Sequence, residues 1–309
     1  MSSGHVLALS GGVGGAKLAA GLAAVLPPER LTVVVNTGDD FEHLGLTICP
    51  DIDSVTYTMA GLNDQQRGWG VAGETWQAMA ALKALGEADW FNLGDRDLGI
   101  HVARSWRLRA GESLSDVTVR LTQSLGIAHK VAPMSDDPVH TQVQTAKGWQ
   151  DFQHWFVGEQ CGPSVSAIRF AGTPGARPST AFSEALARPD LSAVVFCPSN
   201  PFLSVDPILA VDGVRGALAG LTVPLIAISP LIGGKALKGP LSKLLAELGQ
   251  EGSNHAIAAH YGTLLDTIVI DRSDGDDAMH LQAGGLAVTL ANTLMRGPDD
   301  QSRLAREVL

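Results

Sequence analysis

The chain has 309 residues, 45% of them hydrophobic and 17% charged, with a formal net charge of −10. This is the composition of a globular protein long enough to bury a large core, and its acidity excludes a general nucleic-acid binder, since a phosphate backbone selects basic surfaces. No run of about 18 apolar residues occurs, which excludes a membrane-spanning helix.

The elements alternate along the chain. His5 to Leu9 reads as a buried strand halted by glycines, and Lys17 to Leu26 as a helix stopped by Pro27-Pro28. Leu31 to Asn36 is a second apolar strand, and the same signature recurs at Ala193–Phe196, Pro224–Ile228 and Thr267–Ile270. Strands apolar on both faces, alternating with helices, predict a parallel sheet covered on both sides. Helical spacing marks Glu74–Leu85 and Ser113–Leu125, and alternation around Thr141-Gln142-Val143-Gln144 marks strand-like structure within 139–170. The expected architecture is one α/β domain over 1–309, a Rossmann-like, mainly parallel sheet with helices on both faces. An α+β insertion is expected over roughly 60–170. Cys49, Cys161 and Cys197 are too few and too irregular for a disulfide framework or a thiolate zinc site. With no basic n-region ahead of the first apolar stretch, a signal peptide is not expected, and the cytoplasm is the expected location.

Chemistry is sought at the strand ends, where α/β folds hold ligands. Ser10-Gly11-Gly12-Val13-Gly14-Gly15 joins the first strand to the first helix, and glycines before a helix let backbone amides approach an anion. It lacks the Gly-Lys-Ser/Thr ending of a Walker loop, and a tight turn without ligand is the plainer alternative. Asp39, Asp40, Asp51 and Asp53 follow the second strand. If Cys49–Asp53 is extended, Asp51 and Asp53 point the same way and offer hard oxygen ligands to magnesium, although capping is equally ordinary work for aspartate. Asn92, Asp95, Arg96 and Asp97 form a third group, read either as a surface ion pair or as a guanidinium held for phosphate. Ser135-Asp136 and Ser199-Asn200 lie in proline-bounded turns, and Gly233-Gly234 lies near two lysines as a second candidate phosphate cradle.

Together, eight motifs in order resemble the 2-phospho-L-lactate transferase family. They are Ser10–Gly15, Asn36–Asp40, Cys49–Asp53, Gly68–Gly70, Leu93–Asp97, Met134–Pro138, Pro198–Pro201 and Ser229–Gly233. The resemblance implies an enzyme of coenzyme F-420 biosynthesis, usually a homodimer, that requires Mg2+. Such an enzyme moves a phosphorylated three-carbon acid (phospholactate, phosphoenolpyruvate or phosphoglycerate) from a guanosine-diphosphate-activated donor to the deazaflavin Fo, releasing GMP.

Position by position, the resemblance makes Asp53 the contact to Fo. It places Asn92 where the family carries a Lys or Arg, and it matches Gly11, Gly12, Gly14, Gly15, Ser199, Asn200, Gly233 and Gly234 to the family's guanine-nucleotide cleft; Ser10, Ser135 and Asp136 are further candidate contacts to the nucleotide or its phosphates. Arg96 joins the acceptor side, and Asp39, Asp40, Asp51 and Asp53 are the candidate metal ligands. The expected chemistry has the ribityl hydroxyl of Fo attack the β-phosphorus, with Asp53, or Asp40, orienting or deprotonating it. Asp53→Ala is accordingly expected to cost turnover while leaving the fold intact. A nucleotide- or deazaflavin-binding sensor without turnover, or a transferase for another nucleotide-activated substrate, are the alternatives.

Overall fold

The computed structural model describes residues 4–309. Its centre is a sheet of seven strands: β1 (His5–Ser10), β2 (Leu31–Val35), β3 (Lys130–Pro133), β4 (Leu191–Phe196), β5 (Leu225–Ile228), β6 (Thr267–Asp271) and β7 (Ala287–Ala291). Their order is β7-β6-β5-β4-β1-β2-β3, and every neighbouring pair is parallel. This is the doubly wound order, reversing direction between β1 and β4, and the crevice at such a reversal is where these folds place ligands.

Period-two alternation divides the apolar side chains between two cores. Leu7, Leu9, Val34, Val194, Phe196 and Ile268 face one, while Val6, Ala8, Val33, Val35, Val195 and Val269 face the other. Each such buried side chain contributes about 1.5–3 kcal/mol relative to exposure. The second core is closed by α1 (Gly12–Val25), α2 (Pro50–Met59) and the C-terminal helix Pro298–Val308. Both cores confirm the parallel, doubly covered sheet that the apolar strands predict.

Three differences from the sequence reading have local causes. Residues 60–170 do not form one insertion. α3 (Gln77–Ala84), α4 (Asp95–Arg109) and α5 (Leu114–Ser124) come first, and the chain then returns to the main sheet as β3. β3 is an edge strand, so Pro133 removes no ladder bond that a neighbour needs. Beyond it, the strands His140–Thr145, Gly148–Asp151 and Ala167–Ala171 make a separate three-stranded antiparallel sheet.

The first helix begins at Gly12 rather than Lys17, so most of the expected glycine loop is its first turn. Residues 50–59, expected to be extended, are α2, with Pro50 at its first position, where a missing N–H costs nothing. No helix among the described residues is long and apolar enough to cross a membrane. The three cysteines are unpaired.

Candidate active site

A cavity of about 750 Å³ opens where β1, β2, β4 and β5 end. Its lining brings together Gly11, Gly12, Gly14, Asp39, Asp51, Asp53, Asn92, Ser199 and Asn200 from widely separated parts of the chain. Tyr57, Phe91, Phe152 and Phe156 give it an aromatic wall, and Phe152 and Phe156 stack with ring centroids 5.2 Å apart.

The glycine turn is shaped largely by contact with the protein itself. Gly12 has φ +63°, a left-handed conformation that only glycine adopts without strain. A Cβ on Gly14 would lie 2.3 Å from the Pro198 carbonyl oxygen, so glycine there lets α1 approach the turn after β4. Across that junction Ser199 Oγ accepts from Gly11 N–H at 3.1 Å and donates to Gly11 O at 2.8 Å. Asn200 Oδ1 accepts from Phe202 and Leu203 N–H. The Gly12 N–H, expected to meet a phosphate, donates at 2.6 Å to Asp51 Oδ1. Ser10 and Gly15 lie beneath the turn, outside the cavity, where a Cβ on Gly15 would meet the Ser199 and Ser10 hydroxyls.

Because α2 is helical, Asp51 and Asp53 diverge instead of pointing the same way. Asp51 turns toward β2, where Asn36 Nδ2 donates to Asp51 Oδ2 at 2.9 Å and to Asp39 Oδ1 at 3.0 Å. Gln153 Nε2 donates to the other Asp39 oxygen at 3.0 Å. Neither carboxylate has a cationic partner among the described residues. Burial first, then the neighbouring charges of Asp51 and Asp40, raises Asp39 well above the usual carboxylate range. Burial lifts Asp51 to about 6, against the pull of the Asn36 and Gly12 donors. Asp40 lies off the cavity lining against the Cys49 thiol, and burial raises it too.

Asp53 enters a different network. Arg104, almost wholly buried on α4, grips it with two guanidinium nitrogens, Nη2 to Oδ1 and Nη1 to Oδ2 at 3.1 Å. Burial opposes the Arg104 charge, and Asp53 restores it. Arg104 Nη1 also lies 3.1 Å from His101 Nδ1. A guanidinium only donates, so Nδ1 accepts and the proton is on Nε2, which faces Asp97 Oδ1 at 3.1 Å. Tyr57 OH donates to the same Asp97 oxygen at 2.5 Å. Burial opposes the Asp97 charge, but His101, Tyr57 and Arg104 together hold its carboxyl below the usual range. Asp53→Ala would leave a buried guanidinium without its partner, so a loss of stability is expected where the sequence reading expected an intact fold. Asp97, His101 and Arg104 recur at helical spacing on α4, and that periodicity was the available signal for Arg104, which the motif reading passed over.

Several expected residues stand elsewhere. Arg96 is exposed and donates to Ala72 O, while its neighbour Asp95 caps α3 through the Gln77 and Ala78 N–H groups. Ser135 Oγ donates to Arg177 O, and Asp136 accepts from Ser115 at the start of α5. Both work as local structural ties outside the cavity. Gly233 and Gly234, with φ +60° and +68°, form the turn of a hairpin between Leu231–Ile232 and Lys235–Ala236. Their N–H groups donate to Asp274, so these amides already serve an anion supplied by the chain.

A magnesium ion suits Asp39 and Asp51. Both are buried at the cavity, both lack a counter-ion, and hard carboxylate oxygens are the donors such an ion prefers. No cluster of three or more His, Cys, Asp or Glu placed to hold a metal occurs among the described residues. Magnesium commonly takes only one or two carboxylates and keeps other positions for water and phosphate oxygens. Asp53 does not suit it, since both of its oxygens serve Arg104.

The model of the family described as 2-phospho-L-lactate transferase CofD matches residues 6–285. The chain belongs to the CofD family. It is a transferase, and its similarity to relatives named as transferases is nearly end to end. It is 39% identical to the phosphoenolpyruvate transferase of Kitasatospora aureofaciens, covering 99% of this chain and 97% of that one. It is 37% identical to the 2-phospho-L-lactate transferase of Methanosarcina mazei, covering 98% and 99%. A solved member of the upf0052 family from Bacillus halodurans shares the fold, with a TM-score of 0.64 at 17% identity over 100% of this chain and 99% of that one.

Proposed function

We propose that this CofD-family protein transfers a phosphorylated three-carbon acid from a guanosine-diphosphate-activated donor to the deazaflavin Fo, releasing GMP, in coenzyme F-420 biosynthesis. The observation that carries the reading is one cleft at the sheet's reversal in which a buried, uncompensated carboxylate pair, Asp39 and Asp51, shares a lining with aromatic rings. Acids of this class appear in the names of the relatives from Kitasatospora and Methanosarcina, and both support the reading.

In this scheme Tyr57, Phe91, Phe152 and Phe156 receive the flat tricyclic ring, which aromatic faces bind by stacking. Asp53, held in place by Arg104, accepts a hydrogen bond from the ribityl hydroxyl and orients it toward the β-phosphorus. Asp53 is thus an anchor with a fixed geometry. Asn92 presents a neutral amide to the same cavity. Magnesium, when held by Asp39 and Asp51, supplies positive charge to a diphosphate whose negative charge grows as GMP departs. The rest of the work is positioning, which suits phosphoryl transfer.

The test is incubation with Fo, magnesium and the phospholactate, phosphoenolpyruvate and phosphoglycerate donors in turn, followed by mass spectrometry. GMP and a more anionic fluorescent product are expected with at least one donor. Binding of Fo and GDP without product from any donor would make the protein a sensor instead.

A further inference from the structure

Four of the glycine amides that the sequence offers to phosphate are already in use, with Gly11 N–H on Ser199, Gly12 N–H on Asp51 and the Gly233 and Gly234 N–H groups on Asp274. A diphosphate in this cleft needs positive charge from another source. Two lysines line the same cavity, Lys17 on α1 and Lys238 on the loop after the Gly233–Gly234 hairpin.

Lys17 is half-buried and its ammonium donates to an uncharged group, the Met295 carbonyl, at 2.8 Å. That bond fixes the side chain and leaves two N–H groups to spare. Lys238 places its ammonium over Gly68, in space that a Cβ on residue 68 would occupy, so the loops around Gly68 and Lys238 meet at the cleft. Neither lysine has a carboxylate within ion-pair distance among the described residues, although the chain carries 32 acidic residues against 22 basic ones. Burial and the charge of Lys238 both lower the pKa of Lys17, so the two ammonium groups act on each other. Two like charges, one of them half-buried, are held without a counter-ion among the described residues. A ligand carrying two or more negative charges relieves that repulsion and gains charge-assisted hydrogen bonds.

We infer that Lys17 and Lys238 form a clamp for the diphosphate of the nucleotide-activated donor, with Lys17 as a fixed inner jaw and Lys238 as an outer jaw on a loop. The inference rests on the proposed function for the identity of the donor, but the anion it requires, a diphosphate, is recognised by charge alone. Neither lysine hydrogen-bonds or pairs with Asp53 among the described residues, so the clamp is expected to act on donor binding and to spare acceptor binding.

The experiment is titration calorimetry of the full chain with magnesium, using GDP, inorganic pyrophosphate and guanosine as probes, with Fo binding followed by fluorescence. Lys17→Met and Lys238→Met should each weaken GDP and pyrophosphate about tenfold or more while Fo affinity stays unchanged. Lys17→Arg should recover part of the loss. Lys83→Met, which removes an exposed partner of Asp89, is the control and should bind GDP as the parent does. The salt dependence of GDP binding should also flatten in the double variant.

GDP and pyrophosphate affinities within about twofold of the parent in both clamp variants would overturn the inference, as would a parent that binds neither probe. Loss of Fo binding in step with GDP would show general damage to the cleft and count equally against it. A parent that binds GDP through the clamp yet forms no product from any donor would leave the clamp standing and remove the transfer reaction.

Discussion

Asp51→Asn removes one charge of the buried carboxylate pair while keeping its shape, and its effect should depend on pH in a specific way. Burial lifts the Asp51 carboxyl from 3.8 to about 6 in the folded protein. Between those values the folded state holds a proton that the unfolded state has released, so stability falls as pH rises through the window, by about 3 kcal/mol in all. Asparagine does not titrate. The variant should therefore gain about 3 kcal/mol relative to the parent between about pH 4 and pH 7.

A constant penalty lies beneath that slope. The new amide nitrogen would face the Asn36 donor, at a cost of about 1–3 kcal/mol, but this applies at both ends of the range. Asp39 returns part of the gain, because without its neighbour's charge it ionises more readily, so 3 kcal/mol is an upper limit. Urea unfolding of both proteins without divalent cations, at several pH values, measures the difference directly. Added magnesium should then stabilise the parent more than the variant. A stability difference that stays flat across the range would refute the reasoning.

Three further outcomes can be checked. Arg104→Met should cost about 3–5 kcal/mol by stranding Asp53, Asp53→Ala should cost a similar amount by stranding Arg104, and the double variant should cost clearly less than the sum in a denaturation cycle. Gly14→Ala places a methyl group 2.3 Å from a backbone oxygen of Pro198 that cannot swing aside, so it should lower stability by about 1–3 kcal/mol and weaken GDP binding, as calorimetry would show. Asp274→Ala should speed hydrogen exchange at the Gly233 and Gly234 amides without changing GDP affinity. Tighter GDP binding in that variant would restore the hairpin as a phosphate cradle.

Five of the seven strands could be read from the sequence because the parallel sheet is apolar on both faces, and Val33-Val34-Val35 or Leu7-Ala8-Leu9 admit few other readings, whereas the edge strands Lys130–Pro133 and Ala287–Ala291 carry no such signature. The strand-end motifs Gly11–Gly14, Asp39, Asp51 and Ser199-Asn200 did converge on one hollow. What a motif could not convey was direction. Asp51 and Asp53 stand two apart and were expected to act together, but a helix turns successive alternate residues away from each other, and Pro50 begins that helix. Nor can a glycine show what approaches it, so Gly14 and Gly15 read as openings for a ligand when the Pro198-Ser199 turn fills the space. Lys17 and Lys238 belong to no shared motif because their meeting depends on loops remote in sequence.

The cleft holds two kinds of carboxylate, and the difference between them divides its chemistry. Asp53 and Asp97 sit among Arg104, His101 and Tyr57, which supply positive charge and donors at short range, and Asp97 titrates below its usual value as a result. Groups held this way make fixed acceptors, suited to holding a hydroxyl in one orientation. Asp39 and Asp51 receive only amide donors, and burial pushes both upward. That pair stores unfavourable energy which a bound cation would release, so metal affinity should rise as pH increases through the range where the pair loses its protons. α2 carries one member of each kind on diverging faces, about 200° apart around the helix axis. The position of Pro50 at the helix start therefore sets which face each aspartate presents, and with it which of the two networks each one joins.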